Sequence, residues 1–222
     1  MRSDREEIPE GFSKEDADKA ETMEARLRMS RAAAGCQVFW PAPFEVCGAI
    51  LDKYNSLGGP NSFLLFPKSN ELVNPDGYGR RSEFMGGHIY WSGATGAHFV
   101  AHDFLTKWGN VGYEGGFMKY PVTDEIVNPD GTGRRQVFQD GVIYWHPSTG
   151  AHVIHGRILQ KWAEVGYETG EFGYPTSDEM ASTGWWATQS QIEQRFQRGA
   201  MFYNGPTDSV ILANFKVEVT AN

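Results

Sequence analysis

Two adjacent pairs of aromatic residues, Tyr90-Trp91 and Tyr144-Trp145, are the side chains of this sequence best suited to hold a ligand. Both pairs fall in segments typical of β-strands, where neighbouring residues point to opposite faces of a sheet. One ring of each pair should therefore enter the core, and the other can stand exposed as a flat platform. The apolar C–H face of a sugar ring stacks on such a platform, while the sugar hydroxyls need polar partners beside it.

Polar residues that could serve as those partners recur near both aromatic pairs. The predicted ligand-binding residues are Tyr90, Trp91, Tyr144, Trp145, Arg80, Arg81, Arg134, Arg135, Glu71, Glu125, His98 and His152. A competing interpretation places the aromatic rings in the core and pairs the arginines with Glu71 and Glu125 within each copy. Repetition favours binding, because weak sites at a fixed spacing gain avidity on a polymer.

The search for a catalytic centre in the sequence is negative. There is no Gly-x-Ser-x-Gly elbow, and the histidines and acid pairs occur as repeated copies, whereas a catalytic group is normally unique. Four histidines form two pairs, His98 with His102 and His152 with His155, at spacings of four and three. They lack a nearby carboxylate motif, so hydrogen-bonded turn histidines are favoured over metal ligands. We expect no enzyme, no metal and no cofactor.

These residues belong to an internal repeat of 54 residues. Pro67, Pro121 and Pro175 are evenly spaced, and residues 66–100 are identical to residues 120–154 at 19 of 35 positions. The third copy keeps the aromatic-proline pair but lacks the Asn-Pro-Asp-Gly sequence of the other two. A terminal repeat often diverges in this way, because one of its faces has no neighbour.

Each copy predicts a short helix followed by an antiparallel meander. Phe104, Leu105 and Trp108 share one helix face, and Gly112 follows where a left-handed C-cap is expected. The Asn-Pro-Asp-Gly sequence is typical of a tight turn. Residues 136–145 then predict two strands around an Asp-Gly turn, and residues 152–154 a third strand.

The predicted fold class is α+β, with three tandem repeats packed as one body behind an N-terminal helix. A single unit of this size buries too little surface alone, so the copies should pack on one another, and a pseudo-threefold ring is one arrangement that allows this. The predicted boundaries are residues 1–45 for the helix and a Pro-rich connection, 46–100 for repeat 1, 101–154 for repeat 2, and 155–222 for a divergent repeat 3 with a C-terminal strand.

The N-terminal segment predicts a helix over residues 14–34. Ser13 and Asp16 resemble an N-cap pair, and the segment after them contains no proline or glycine. The helix could pack on the repeats, or dock on a partner protein or a second copy of the chain. Pro41 and Pro43 predict a stiff connection into repeat 1.

Cys36 and Cys47 are the only cysteines of the sequence. Their spacing permits a small disulfide loop, and a pair of buried free thiols is the alternative. A disulfide would place the mature protein outside the reducing cytosol.

Composition excludes several classes of function. The 222 residues include 28 acidic and 20 basic side chains, and the net charge of −8 argues against binding to nucleic acid or anionic lipid. The longest apolar run is four residues, as in residues 63–66, far short of the roughly 18 that a membrane span needs. Residues 1–35 do not resemble a secretory signal, so we expect that a signal was removed or that the protein is made without one.

Over residues 46–212 the sequence resembles the LGFP-repeat family. The family tetrapeptide corresponds to Leu64-Leu65-Phe66-Pro67, to Met118-Lys119-Tyr120-Pro121 and to Phe172-Gly173-Tyr174-Pro175. The later signature, Gly-x-Gly-Arg, an aromatic, Ile-Tyr-Trp and Thr-Gly-Ala-His, lies within residues 77–98 and recurs 54 residues later.

The resemblance implies a secreted module of mycolic-acid-bearing actinobacteria that holds proteins on the cell wall, through arabinogalactan. We therefore expect a non-catalytic protein of the extracellular space or cell envelope that binds cell-wall polysaccharide. The alternative is an interaction or structural protein of an envelope assembly or virion, anchored by residues 14–34 and displaying the repeats.

Overall fold

The computed structural model describes residues 1–29, 35–182 and 191–215. Within these residues the chain is α+β, with four α-helices, one β-hairpin and three four-stranded antiparallel sheets. The chain divides into two compact units, Met1–Leu105 with Tyr120–Asp124, and Thr106–Lys119 with Glu125–Asn222. The two units are described separately, and the packing of the repeats as one body stays a prediction.

The first unit opens with helix α1 (Lys14–Met29). The Ser13 hydroxyl accepts a hydrogen bond from the Asp16 backbone N–H, and the Asp16 carboxylate accepts one from the Ser13 backbone N–H, so the expected N-cap pair is present. Ala17 and Ala20 are fully buried where α1 packs on the hairpin that follows it. Residues 30–34 of the predicted helix lie outside the described residues.

Strands β1 (Cys36–Phe39) and β2 (Ala42–Cys47) form that hairpin. The expected stiff connection is therefore wrong: Pro41 lies in the hairpin turn and Pro43 lies inside β2. A two-stranded ribbon has only edge strands, where a missing N–H is tolerated. Cys36 faces Cys47 in the register, and a disulfide joins them, which confirms the predicted bond.

Helix α2 (Gly48–Ser56) and a four-stranded meander complete the first unit. The strands lie in sequence order across the sheet: β3 (Leu72–Val73), β4 (Arg80–Phe84), β5 (Gly87–Ser92) and β6 (Gly96–Ala101). Helix α2 packs on β5 and β6, and Ile50 and Tyr54 meet Phe84 and Ile89 in the core.

Helix α3 (His102–Asn110) follows β6, and the second unit then contains two more meanders separated by helix α4 (Gly156–Glu164). Their strands are β7 (Ile126–Val127), β8 (Arg134–Phe138), β9 (Gly141–His146), β10 (Gly150–Ile154), β11 (Met180–Ala181), β12 (Gln191–Phe196), β13 (Gly199–Asn204) and β14 (Ser209–Asn214). Trp162 on α4 is fully buried and packs in one cluster with Tyr144, Phe172 and Phe196.

The local signals of the repeat are confirmed. Gly112 and Gly166 take left-handed conformations at φ of 98° and 93° just after their helices, as a C-cap requires. In the first Asn-Pro-Asp-Gly turn, the Gly77 backbone N–H donates to the Asn74 carbonyl at 2.8 Å. The short strands β3 and β7, which come before the turns, were not predicted. None of the helices in the described residues is long and apolar enough to cross a membrane.

Candidate functional site

Strand register decides how the predicted ligand-binding residues are distributed. In the first meander Arg80 faces Trp91, whereas Arg81 faces Tyr90 and Tyr90 faces His98. Because cross-strand partners point to the same side of a sheet, the predicted residues fall on two opposite faces. One face carries the tryptophan and the first arginine, and the other carries the tyrosine, the second arginine and the histidine.

The tryptophan face of the first unit holds a pocket of about 250 Å³. It is lined by Ala49, Ile50, Glu71, Arg80 and Trp91. The indole is partly exposed and packs against the buried core cluster, while Tyr90 beside it is only 3% exposed. Arg80 Nε lies 3.7 Å from Glu71 Oε1, so an ion pair stands beside the ring. The structure thus brings three of the predicted residues, Glu71, Arg80 and Trp91, into one pocket.

The same pairing recurs within the second unit. Arg134 faces Trp145 in the register, and Arg134 Nε lies 3.5 Å from Glu125 Oε1. Trp145 is partly exposed, and Tyr144 is 4% exposed. The predicted ion pairs of the competing interpretation therefore form, and they stand on the same face as the partly exposed tryptophans.

The third copy has lost this arrangement. Tyr203 takes the tryptophan position, but its cross-strand partner is Ile192 instead of arginine. The corresponding acid, Glu179, pairs with no arginine among the described residues, and its Oε2 lies 3.2 Å from His155 Nε2. Burial raises the pKa of Glu179 to about 7, against the opposing effect of a hydrogen bond with the His155 backbone.

Arg81 and Arg135, on the tyrosine face, hold the Asn-Pro-Asp-Gly turns. Arg81 NH1 donates to Asn74 Oδ1 at 3.1 Å, and Arg135 NH1 donates to Asn128 Oδ1 at 2.6 Å. Both asparagines are almost fully buried. A charged donor to a buried amide stabilises the turn. Arg80 and Arg134, on the tryptophan face, instead donate to the Gly79 and Gly133 backbone carbonyls, each at 3.0 Å.

Each turn also receives the tyrosine of the following repeat. Tyr120 donates its hydroxyl to Asp76 Oδ2 at 2.6 Å and accepts from Asn74 Nδ2 at 3.1 Å. Tyr174 donates to Asp130 Oδ2 at 2.5 Å and accepts from Asn128 Nδ2 at 3.2 Å. The aromatic residue of the family tetrapeptide thus fastens one repeat to the turn before it.

The second glycine of each Gly-x-Gly sequence makes room for that tyrosine. A Cβ on Gly133 would lie 1.9 Å from the Tyr174 hydroxyl oxygen, and a Cβ on Gly79 would lie 2.2 Å from that of Tyr120. Burial alone would raise the pKa of Asp130, but hydrogen bonds from Tyr174 and from two backbone N–H groups of the turn outweigh it and hold the pKa below its ordinary value.

His98 and His152 hold another contact between successive repeats. His98 Nδ1 lies 3.1 Å from Asp124 Oδ1 and its Nε2 lies 3.0 Å from the Thr95 carbonyl. Asp124 also accepts from Lys53 Nζ at 2.7 Å. The lysine was missed by sequence reasoning, although its counterpart Lys107 recurs at the repeat spacing of 54 residues.

The second unit repeats this contact. Asp178 accepts from Lys107 Nζ at 2.9 Å and from the Val153 backbone at 2.8 Å, and it lies 3.4 Å from His152 Nδ1. Burial opposes ionisation of Asp178, but these neighbours prevail and lower its pKa to about 2. The structure therefore gives both histidines repeat-joining contacts, on the face opposite the tryptophans.

In the described ranges, one group of side chains is close enough together to hold a metal ion: Cys36, Glu45 and Cys47. The two sulfur atoms are bonded to each other, so they are not available as thiolates.

Fold and site together define a tandem-repeat protein in which two copies present a tryptophan beside an arginine–glutamate pair. The LGFP-repeat family model matches residues 64–116 and 120–170, so this part of the chain consists of two tandem LGFP repeats. Each match begins within a tetrapeptide and runs through the meander and past the next helix, so the tetrapeptide and meander of the divergent third copy lie beyond them. The disulfide and the LGFP repeats fit an extracellular protein.

Comparison with other known proteins adds little. No curated protein sequence matches the chain. Among solved structures, extracellular domains of the BT4673 protein from B. thetaiotaomicron, described as a one component and as a hybrid two component system, are each 15% identical with a TM-score of 0.19. They cover 71% and 72% of this chain, which in turn covers 17% of each of them. A likeness of that size carries no argument about fold or function.

Proposed function

We propose that this protein is a non-catalytic binding protein of the cell envelope, which recognises cell-wall polysaccharide through the Trp91 pocket and its repeated counterpart. The observation that carries the proposal is the pocket itself, in which a partly exposed indole stands beside the Arg80–Glu71 ion pair. Family membership directs the proposal to arabinogalactan as the polymer.

The chemistry of the pocket suits a sugar ring. The indole is supported on one side by the core, so it offers a rigid apolar surface to the C–H face of a sugar. The Arg80 and Glu71 side chains are 35% and 34% exposed, and an ion pair with that exposure contributes little to stability. They can exchange part of their mutual contact for sugar hydroxyls, because arginine supplies donors and glutamate supplies acceptors.

Duplication adds the affinity that one small pocket lacks. Trp145, Arg134 and Glu125 repeat the side-chain set within the second unit. A polymer with many equivalent sugars can engage both copies, and the second contact then benefits from a high effective concentration.

The N-terminal helix has an internal role. Its Ala17 and Ala20 are buried against the β1–β2 hairpin, so that side is occupied within the first unit. We therefore do not propose residues 14–34 as an anchor to a partner.

The test is co-sedimentation of the purified chain with insoluble arabinogalactan and, separately, with peptidoglycan. We expect the intact chain to sediment with arabinogalactan, and Trp91→Ala and Trp145→Ala to weaken binding by about 1 to 3 kcal/mol each, by analogy with base stacking on aromatic side chains. Tyr78→Ala is the control, because Tyr78 is 58% exposed in the same unit as Trp91 but does not line the pocket.

Circular dichroism should show that all the variants are folded. Unchanged sedimentation of a folded Trp91→Ala, Trp145→Ala double variant would overturn the proposal. Release of reducing sugar from arabinogalactan by the pure protein would contradict its non-catalytic part.

A further inference from the structure

A second pocket, of about 280 Å³, lies within the second unit on the tyrosine face of its first meander. Its walls include Arg135, Val142, Tyr144, Leu159, Tyr167 and Glu168. Arg135 and Tyr144 face each other in the register of β8 and β9, whereas the Trp145 side chain points to the other side of this sheet. This pocket is therefore separate from the tryptophan–ion-pair arrangement of the proposed function.

Glu168 is the unusual residue of this pocket. It is only 8% exposed, and no residue in the described parts of the chain donates a hydrogen bond to its carboxylate or forms an ion pair with it. Because Glu168 lines the pocket, its carboxylate oxygens can accept hydrogen bonds from a ligand bound there.

Tyr144 brings a hydroxyl group to the same pocket. Its hydroxyl belongs to a residue that is 4% exposed, and it makes no hydrogen bond to any part of the chain that the structure describes. Burial, and next the nearby Glu168 carboxylate, raise the pKa of Tyr144. The hydroxyl therefore keeps its proton and can both donate and accept.

Arg135 supplies donors to the same space. One NH1 hydrogen is engaged by Asn128 Oδ1 at 2.6 Å, which fixes the guanidinium plane. The other N–H groups of the guanidinium can donate to a ligand, since arginine carries five donors in a rigid fork.

Tyr167 forms an aromatic rim. It is 42% exposed, and its ring meets the buried Trp162 edge to face at 5.5 Å. Its φ of 54° is uncommon for a residue other than glycine. The repeat counterpart Tyr113 has a similar φ of 52°, and it is the contact with Trp162 that supports the Tyr167 ring at the pocket.

We propose that this pocket binds one neutral sugar residue, with its hydroxyls donating to Glu168 and accepting from Arg135. A hydroxyl can do both and meets no like charge. A ligand with a single charge meets a like charge on one of the two side chains, so a zwitterion is the competing ligand that the test must include. The apolar side of the ring would rest on Leu159 and Val142, with Tyr167 at the rim. A volume just below the roughly 300 to 1,000 Å³ of pockets for drug-sized ligands fits a single ring.

This proposal deepens the proposed function and rests on it, because it names a further subsite for the same polymer. It is tested by titrating the whole chain with methyl arabinofuranoside and methyl galactofuranoside, observed by two-dimensional NMR and by calorimetry. Glycine, a zwitterion, is titrated in parallel. We expect shifts of resonances around residues 142–168 with both glycosides and none with glycine.

Variants assign the binding to the pocket. Glu168→Gln preserves shape but removes the charged acceptor, and we expect it to weaken glycoside binding about tenfold or more. Leu159→Phe fills the pocket without removing a polar group and should abolish the shifts. Glu164→Gln is the matched control, because Glu164 is paired with Lys161 and does not line the pocket, and it should bind normally.

The outcomes separate this proposal from the preceding one. Glycoside binding that survives in folded Glu168→Gln and Leu159→Phe overturns the sugar pocket, and so does binding of glycine in place of the glycosides. Either result leaves the proposed function standing if Trp91→Ala still releases the chain from arabinogalactan. If intact protein fails to sediment with the polymer, it is the proposed function that fails.

Discussion

The repeat-joining tyrosine gives the sharpest test of the architecture, through Tyr174→Phe. The substitution keeps a ring that is 4% exposed and stacked on His146 at 4.6 Å, and it removes one oxygen. That oxygen donates to Asp130 at 2.5 Å and accepts from Asn128 at 3.2 Å.

The expected loss follows from those two contacts. A hydrogen bond to a charged group contributes about 1.5 to 3 kcal/mol. Asp130 is exposed and can recover water, whereas Asn128 is 3% exposed and cannot do so easily. We therefore expect the free energy of unfolding to fall by about 2 kcal/mol, which is about 4 to 8 °C in melting temperature for a chain of this size.

The measurement is urea unfolding followed by tryptophan fluorescence, at pH 7 and again in acid. Because the pKa of Asp130 lies below its ordinary value of 3.8, the ionised carboxylate contributes stability above that pH and loses it as the pH falls through the folded-state pKa. The difference between wild type and Tyr174→Phe should therefore shrink below about pH 4.

Tyr203→Phe is the matched control, because within the described parts of the chain the Tyr203 hydroxyl donates to the exposed Asp208 carboxylate alone, at 3.3 Å. It should cost less than about 0.5 kcal/mol. The reasoning is refuted if Tyr174→Phe costs no more than this control, or if a double-mutant cycle with Asp130→Asn shows no coupling between the two side chains.

Two further predictions concern the disulfide and Glu179. The Cys36→Ser, Cys47→Ser double variant opens a loop with a sequence separation of 11 and should lose about 3 kcal/mol by the chain-entropy model; an unfolding midpoint equal to that of the oxidised wild type would contradict this. The pKa of Glu179 rises from 4.5 to about 7 on folding, so its contribution to stability is full below pH 4.5 and is lost as the pH rises through 7. Glu179→Gln should thus be more stable than wild type at pH 8, by at most about 3 kcal/mol, and equal to it at pH 4; parallel pH profiles would count against the buried carboxylate.

Periodic features were predictable from the sequence, because each rests on local signals that recur. The helix before each meander, its glycine C-cap and the Asn-Pro-Asp-Gly turn need only neighbouring residues, and the second copy confirms the first. The β1–β2 hairpin was missed because Pro41 and Pro43 usually argue against strands. No periodic signal covers that segment.

The candidate site was only partly predictable. Three of the predicted residues, Glu71, Arg80 and Trp91, line one pocket. The separation of Arg80 from Arg81 onto opposite faces depends on strand register, which the sequence did not fix. The role of His98 depends on Asp124, which lies 26 residues away in the next repeat. Glu168 recurs in the repeat as Glu114, but the sequence did not indicate its burial, since glutamate is almost always exposed and its burial comes from the surrounding fold.

The tyrosine–turn contact makes the repeats non-equivalent, because a repeat needs a tyrosine to join the repeat before it and an Asn-Pro-Asp-Gly turn to join the repeat after it. The first copy has Phe66 in the tyrosine position, and its ring packs on Phe12 at 5.2 Å, so it brings no hydroxyl to a preceding turn. The third copy lacks the Asn-Pro-Asp-Gly sequence that would receive a following tyrosine. Only the sequence of the middle copy has both the tyrosine and the Asn-Pro-Asp-Gly turn. Adding repeats to the protein by gene duplication, natural or engineered, should therefore succeed with the middle copy and fail with either of the others.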